Sequence, residues 1–243
     1  MKISQHLTRS LSFPLKLIAT IWVIHLFQFI TGIRLGQSLG LLPGSIPGLK
    51  GILFSPLLHS QNGWGHILSN TPPLFVLTSM LLFFYPRVGQ KAFWTIYLLA
   101  GALLWVFGIF TRIGHYDYHI GASGVIYGLV AFIFWSGIFR KNVKSIALAL
   151  LVLFFYGSLF FGILPGQTGV SWEGHLMGAL AGILTAFWFK SSIEDDEKKE
   201  IPSWDREEQT PPRHFFQEDV FTKRKEERQN DPLDPNNLPK WLQ

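Results

Sequence analysis

The sequence predicts an all-α polytopic membrane protein, a bundle of six transmembrane helices followed by a flexible, charged tail. Three observations support this prediction. Of the 243 residues, 48% are apolar and only 15% are charged. The apolar residues form six runs of roughly 20 residues, the length that a helix needs to cross a bilayer. Charge is unevenly distributed, because residues 1–192 contain twelve Lys and Arg but two acids, whereas residues 193–243 contain fourteen acids and nine bases.

The predicted spans follow one another with short connections, except between the first and the second. The first is too long for the apolar part of a signal peptide and lacks a small-x-small cleavage signature, so we interpret it as a retained span. About thirty residues rich in Gly, Pro and Leu separate it from the second span, and we expect them at the membrane interface. The six spans lie at approximately 13–32, 64–85, 92–111, 119–139, 145–164 and 172–190.

The domain boundary is predicted at the change in composition after Ser192. Residues 1–192 form the membrane domain, and residues 193–243, rich in charge and proline, form a disordered cytoplasmic tail. Orientation follows from Lys and Arg in the short loops, which concentrate on the cytoplasmic side. If the spans alternate, nine basic residues fall on one side and three on the other. Both termini are therefore predicted to be cytoplasmic.

Several functional classes are excluded by composition. The absence of cysteine excludes disulfides, thiol chemistry and Cys-ligated zinc. A pI near 9.5 is often a sign of nucleic-acid binding, but here the basic residues flank apolar runs, so no nucleic acid is predicted as a partner. The pattern His115-x-Asp117-x-His119 does not complete a metal site by itself, and no metal or cofactor is predicted.

Polar side chains inside membrane spans are costly, and here they concentrate at one level. His66 and Asn70 lie at the start of the second span, Ser123 and Tyr127 at the start of the fourth, and His175 at the start of the sixth. These three spans all run from the outside to the inside. If they are neighbours, their polar groups meet in one pocket near the outer membrane face. His59 belongs to the preceding loop and is a further candidate to approach this pocket.

The spacing of these residues fits one shared site. Ser123 and Tyr127 are four residues apart, so they share a helix face, and so do His66 and Asn70. Small residues allow helix backbones to approach closely, and such stripes occur on the fourth and sixth spans. Their members are Gly124, Gly128, Gly178 and Gly182.

A serine hydroxyl becomes a strong nucleophile when a base removes its proton. Because no acid lies well inside a span, Ser123 and His175 are predicted to work as a dyad, with Tyr127 packed on the imidazole. His66, Asn70 and the Ser123 N–H are candidate donors to an oxyanion. Gly121 and Gly124 leave the serine accessible on both sides.

These segments resemble the motifs of rhomboid intramembrane serine proteases. The resemblance rests on Gly121-Ala122-Ser123-Gly124 with Tyr127, on His175-x-x-Gly178-x-x-x-Gly182, and on His66-x-x-x-Asn70. It covers roughly residues 13–190 and implies a six-helix fold with a water-filled cavity open to the outer side. It also implies cleavage of transmembrane protein substrates, with Ser123 as nucleophile and His175 as base. A bare six-span core resembles bacterial members, which implies the cytoplasmic membrane of a bacterium.

Two other functions remain open from the sequence. A catalytically silent relative would bind transmembrane helices through the same fold. A small-molecule transporter would typically show interrupted helices near the midplane, of which Pro72-Pro73 is the only hint. For each candidate residue there is also a simpler structural interpretation. Ser123 would then be a packing residue, the histidines would be interfacial or hydrogen-bonded to neighbouring helices, and Tyr127 would be interfacial.

Overall fold

A computed structural model describes residues 3–111, 118–166, 169–192, 194, 197, 224, 226 and 227. The chain divides into two compact units, Met1–Lys198 and Lys199–Gln243. In the second unit only Arg224, Glu226 and Glu227 are described, and all three are exposed. The predicted disorder of the tail therefore falls almost entirely outside the described residues.

The described part of the first unit is helical, which confirms the predicted all-α class. The bounds of its α-helices are Ile3–Thr31 (α1), Leu35–Leu39 (α2), Gly51–Phe54 (α3), Gly65–Phe84 (α4), Gly89–Thr111 (α5), Ser123–Arg140 (α6), Val143–Tyr156 (α7) and Trp172–Trp188 (α8). Short 3-10 helices occupy Pro47–Lys50, Ser55–Leu57 and Gly157–Ile163. The described residues contain no named strand, only an isolated bridge between Leu41 and His119.

Five helical segments in the described residues are long and apolar enough to cross a bilayer. They are His6–Thr31, Gly65–Phe84, Gly89–Phe110, Ser123–Arg140 and Val143–Ile163. The sixth predicted span corresponds to α8, whose 17 residues extend about 26 Å and fall short of a typical ~30 Å hydrocarbon core. The protein is an integral membrane protein, and α8 is shorter than the four longest helices α1, α4, α5 and α6.

Packing places α6 in the interior and α1 and α7 at the periphery. Helix α6 packs against α8, α7, α4 and α5, and its Leu129, Phe132 and Ile133 are fully buried. By contrast, Ile30 of α1 and Phe154 of α7 are about four-fifths exposed, at 80% and 82%. Large apolar side chains on the outside of a helix bundle are the surface expected to face lipid.

Helix α4 contains Pro72 and Pro73 yet runs unbroken from Gly65 to Phe84. Proline removes an intrahelical hydrogen bond and can kink or break a helix. In the structure Asn70 remains on the helix and is buried. The helix is also tied to α1, because the Trp22 indole donates to Thr71 Oγ1 at 3.1 Å.

The long segment between α1 and α4 folds against the bundle rather than extending from it. Leu41 exchanges two backbone hydrogen bonds with His119, of 3.0 and 2.8 Å, and Gly44 N–H donates to the Trp105 carbonyl at 3.0 Å. Some of its apolar side chains pack inside the protein and others lie on its surface. Leu41 and Leu58 are buried, whereas Ile46 is 82% exposed. This segment holds the turn before α6 in place.

A buried ionic cluster lies at the end of the bundle where α4 and α6 terminate. It consists of Arg140, Lys144, Ser145, Glu194 and Glu197. Glu197 pairs with Arg140 at 2.8 Å and with Lys144 at 3.4 Å, and the side chains of Glu197 and Arg140 are only 3% and 2% exposed. Glu194 is fully buried. Both glutamates lie beyond the boundary predicted at residue 192, so the first unit extends a few residues past it.

The two glutamates of the ionic cluster have pKa values that shift in opposite directions. Burial raises the pKa of Glu194, although the Arg87 N–H donates to its carboxylate at 3.0 Å. For Glu197, burial acts in the same sense but is outweighed, because the Glu194 N–H and the Arg140 and Lys144 charges lower its pKa. Glu197 is thus the carboxylate that pairs directly with both Arg140 and Lys144.

Candidate active site

Ser123 is the first residue of α6, directly after a sharp turn. Gly121 in that turn has φ +114°, a conformation that favours glycine, and its N–H donates to the Ser55 carbonyl at 2.9 Å. The first N–H groups of a helix have no partner within the helix. The turn therefore presents the Ser123 hydroxyl together with backbone N–H groups that can bind an oxyanion.

The glycine stripes bring α6 and α8 into backbone contact. A Cβ added at Gly178 would overlap the Gly124 carbonyl, and one at Gly182 would overlap the Gly128 carbonyl. A Cβ at Gly124 would lie 3.3 Å from the Gly174 carbonyl oxygen. Since Ser123 precedes Gly124 and His175 follows Gly174, these contacts place the two candidate residues on adjoining helix segments at the same end of the bundle, hereafter the site end.

His175 is held from two sides. Its ring stacks on Tyr127 with centroids 4.1 Å apart and planes inclined by 10°. Its Nδ1 lies 2.9 Å from the Gly162 carbonyl oxygen, which can only accept, so Nδ1 carries a hydrogen. In the neutral imidazole, Nε2 is then the unprotonated nitrogen. This tautomer is the one that a general base acting through Nε2 requires.

Ser123 and His175 do not form a hydrogen bond with each other in the described residues, and neither the Ser123 hydroxyl nor His175 Nε2 has another partner there. Ser123 lines a cavity of about 50 Å³, room for a water molecule or two. The cavity opens between the segment before α4, helix α5 and the first turns of α6 and α8. Its polar lining includes Ser55, His119, Ser123 and Ser171.

His66 faces the turn before Ser123. A Cβ added at Gly121 would lie 2.6 Å from His66 Nε2, so glycine is required there for space as well as for φ. The Ser60 N–H donates to His66 Nδ1 at 3.4 Å, which favours the tautomer with the hydrogen on Nε2. Asn70 donates from Nδ2 to the His66 carbonyl at 2.8 Å, and its second N–H remains available.

His119 takes part in the architecture of the cavity. Its Nδ1 lies 2.6 Å from Ser171 Oγ, and Ser171 also caps α8 by accepting from the Gly174 N–H at 3.2 Å. Within the described residues no three His, Asp or Glu side chains are placed to hold a metal ion. His115 and Asp117, the other members of the sequence pattern, lie outside the described residues.

Some residues of the site carried little or no signal in the sequence. Gly162 is required because a Cβ there would overlap the Tyr127 hydroxyl and lie 3.2 Å from His175 Nδ1, yet it resembles any glycine in an apolar run. Ser60 acts through its backbone N–H, which is independent of residue type. Ser171 was recognisable only as a polar residue one position before α8.

A sequence model of the Rhomboid domain matches residues 48–192, which include every element of the site described above. The chain belongs to the rhomboid family. Uncharacterized proteins of Mycobacterium bovis and Mycobacterium tuberculosis are each 39% identical to it over 181 residues, which cover 71% of this chain and 72% of the relative. An uncharacterized protein of Mycobacterium leprae is 37% identical over 147 residues, 57% of this chain and 55% of the relative.

The rhomboid match begins at Gly48, within the segment between α1 and α3. Helix α1 and the two glutamates of the ionic cluster therefore lie outside the part that defines the family. Rhomboid proteins include intramembrane proteases and inactive relatives, and the mycobacterial relatives are themselves uncharacterized. Which of these two kinds this rhomboid protein represents depends on the chemistry of its site.

Proposed function

We propose that this protein is an intramembrane serine endopeptidase that cleaves transmembrane protein substrates through a Ser123–His175 dyad. The observation that carries the proposal is the fixed state of His175, with Nδ1–H held by the Gly162 carbonyl at 2.9 Å and the ring stacked on Tyr127. The Gly162 carbonyl thus orients the His175 imidazole, which is the role of the acid in a Ser-His-Asp triad. An inert packing histidine has no need of this tautomer.

The reaction follows the chemistry of acyl transfer. Ser123 Oγ attacks the carbonyl carbon of the substrate peptide while its proton moves to His175 Nε2. The Ser123 N–H, His66 Nε2–H and the free Asn70 N–H are the donors to the resulting oxyanion. His175 then gives its proton to the leaving amine, the C–N bond breaks, and water hydrolyses the ester on Ser123.

The proposed location follows from the distribution of charge. Because more Lys and Arg lie at the end opposite the site, we infer that both termini are cytoplasmic and that the site end lies near the outer face. The protein then resides in a lipid bilayer, specifically the cytoplasmic membrane of a bacterium. The substrates are single transmembrane segments that reach the cavity at Ser123.

A second candidate function is a catalytically silent rhomboid that binds transmembrane helices. One observation favours it, namely that no hydrogen bond joins Ser123 to His175 in the described residues. In enzymes without substrate such bonds are often long and tighten when substrate binds, so this observation does not outweigh the orientation of His175.

The test uses the full chain in proteoliposomes with a single-span reporter. Ser123→Ala and His175→Ala should each abolish cleavage, because one lacks the nucleophile and the other its base. Ser136→Ala is the matched control, since Ser136 is a buried serine on the same helix and its loss should leave the rate unchanged. Cleavage by the Ser123→Ala protein would overturn the proposal. Intact reporter with wild-type protein, and no labelling of Ser123 by a fluorophosphonate, would favour the silent binder.

A further inference from the structure

His59, in the loop before α4, is a buried histidine whose ring nitrogens have no hydrogen-bond partner in the described residues. Its side chain is 1% exposed, and neither Nδ1 nor Nε2 is hydrogen-bonded. The Leu57 carbonyl is near the ring but does not meet hydrogen-bond geometry with either nitrogen. Burying polar atoms in this way costs stability. A phenylalanine would fill the same space without that cost, so packing alone does not explain a histidine here.

The ring of His59 lies against the ring of His66. Their centroids are 5.0 Å apart and their planes are inclined by 56°. Burial, followed by the neighbouring His66 and His25, lowers the pKa of His59 to about 3. His59 is therefore neutral at physiological pH, and it offers one N–H donor and one acceptor to its surroundings.

Two further nitrogens without a protein partner come from α1. His25 Nδ1 and Gln28 Nε2 are both buried and unbonded in the described residues, and the two residues are 1% and 2% exposed. They are three positions apart and so share a face of α1. The ring centroids of His25 and Trp64 are 5.2 Å apart, next to the start of α4. Buried polar atoms without protein partners are typically hydrogen-bonded to internal water.

The proposed role of His66 as an oxyanion donor depends on which of its ring nitrogens carries the hydrogen. Only the form with hydrogen on Nε2 donates toward Gly121 and the oxyanion, and in the other form a lone pair would face the negative charge. The Ser60 N–H that favours the correct form makes a long bond of 3.4 Å to Nδ1. A second polar group beside the His66 ring is therefore needed to fix it, and His59 directly precedes Ser60.

We propose that His59 is the positioning residue for His66, holding it through internal water in the Nε2–H form that faces Gly121. This inference rests on the proposed protease function, because it assigns His59 to the same transition state. It explains why a buried histidine whose ring nitrogens have no protein partner in the described residues is retained beside the site, where burying polar atoms costs stability. His59 touches neither substrate nor the reacting atoms.

The inference predicts that replacing His59 by an apolar ring lowers activity but does not lower stability. His59→Phe keeps an aromatic ring of similar size and removes the two buried polar nitrogens, so the unfolding temperature should stay the same or rise. The kcat for reporter cleavage should fall about tenfold, a fraction of the 10²–10³ that an oxyanion donor contributes. KM should be unchanged, because the oxyanion exists only in the transition state. His59→Gln, which restores polar atoms, should recover part of kcat.

The experiment measures kcat, KM and unfolding temperature for the full-length protein in proteoliposomes, with His6→Gln as control. His6 bonds the Phe83 carbonyl at 2.9 Å, near the end of α4 away from the site, and its variant should cleave normally. In a His66→Ala background, His59→Phe should cause no further loss of kcat, since a positioning residue has nothing left to position.

Three results would overturn the inference while leaving the protease function intact. They are full kcat in His59→Phe, an equal loss of kcat in the His66→Ala background, and a fall in unfolding temperature that parallels the loss of activity. Failure of the wild-type protein to cleave the reporter or to react with a fluorophosphonate is a different result. It would overturn the proposed function and this inference together.

Discussion

Replacing Glu197 by glutamine should destabilise the membrane unit by removing the carboxylate that pairs with Arg140 and Lys144. Glu197 contacts Arg140 at 2.8 Å and Lys144 at 3.4 Å, with the side chains of the closer pair almost fully buried. Removing one partner of such a pair leaves a buried charge uncompensated, at a cost of about 3–5 kcal/mol. Glutamine keeps one acceptor oxygen and Arg140 keeps the Phe189 carbonyl at 3.1 Å, so we expect about 3 kcal/mol, the low end of that range.

For a unit of this size, the loss corresponds to a fall in unfolding temperature of roughly 6–12 °C. The chain has nine tryptophans and no cysteine, so intrinsic fluorescence in detergent is a suitable measurement and thiol-reactive dyes are not. Glu227→Gln is the control, because Glu227 is an exposed glutamate. The fall should shrink in an Arg140→Gln background. Equal unfolding temperatures for wild type and Glu197→Gln would show that the reasoning about the buried pair is wrong.

The difference in stability between wild type and Glu197→Gln should depend on pH. Because the pKa of Glu197 is lowered from its ordinary value of 4.5, the folded state favours the anion. The stabilisation is complete above about pH 4.5 and is lost as pH falls through the lower folded-state value. The difference in unfolding temperature between wild type and Glu197→Gln should therefore be constant near neutrality and shrink in acid. Glu194 is present in both proteins, so its opposite shift largely cancels.

Two further substitutions test the helix contacts of the site. Gly162→Ala should lower kcat about 10²-fold with little change in unfolding temperature, because its Cβ displaces Tyr127 and the ring of His175; normal kcat would contradict the assigned orientation. Gly178→Ala should destabilise the protein by about 1–3 kcal/mol, since its Cβ overlaps the α6 backbone. Gly157→Ala is the control, because a Cβ there meets only a Leu153 methyl at 3.6 Å, and thermal unfolding of both variants provides the comparison.

Much of the fold was predictable because the membrane imposes a simple pattern on the sequence. Apolar runs of bilayer length gave the helices, and the small residues at 124, 128, 178 and 182 indicated which two helices touch. The predicted packing of Tyr127 on His175 is present as a ring stack. The catalytic roles of these residues stay a prediction, since they concern chemistry rather than placement.

The remainder was not predictable because it depends on groups that the sequence does not distinguish. The Gly162 carbonyl and the Ser60 N–H are backbone atoms, and every residue except proline offers both kinds. Glu194 and Glu197 stand in a run of charges that is typical of a solvated tail, and only the tertiary fold places them against Arg140. The span boundaries were also approximate, as α8 shows by ending at Trp188.

The acceptor that orients His175 has a consequence for when the base is competent. Gly162 belongs to the 3-10 helix Gly157–Ile163, which continues from the peripheral helix α7 and not from α8, which carries His175. A displacement of that peripheral segment would release the proton-bearing nitrogen of the imidazole from its acceptor. The tautomer of His175 would thus be set by a part of the chain outside the three helices that carry the candidate catalytic side chains.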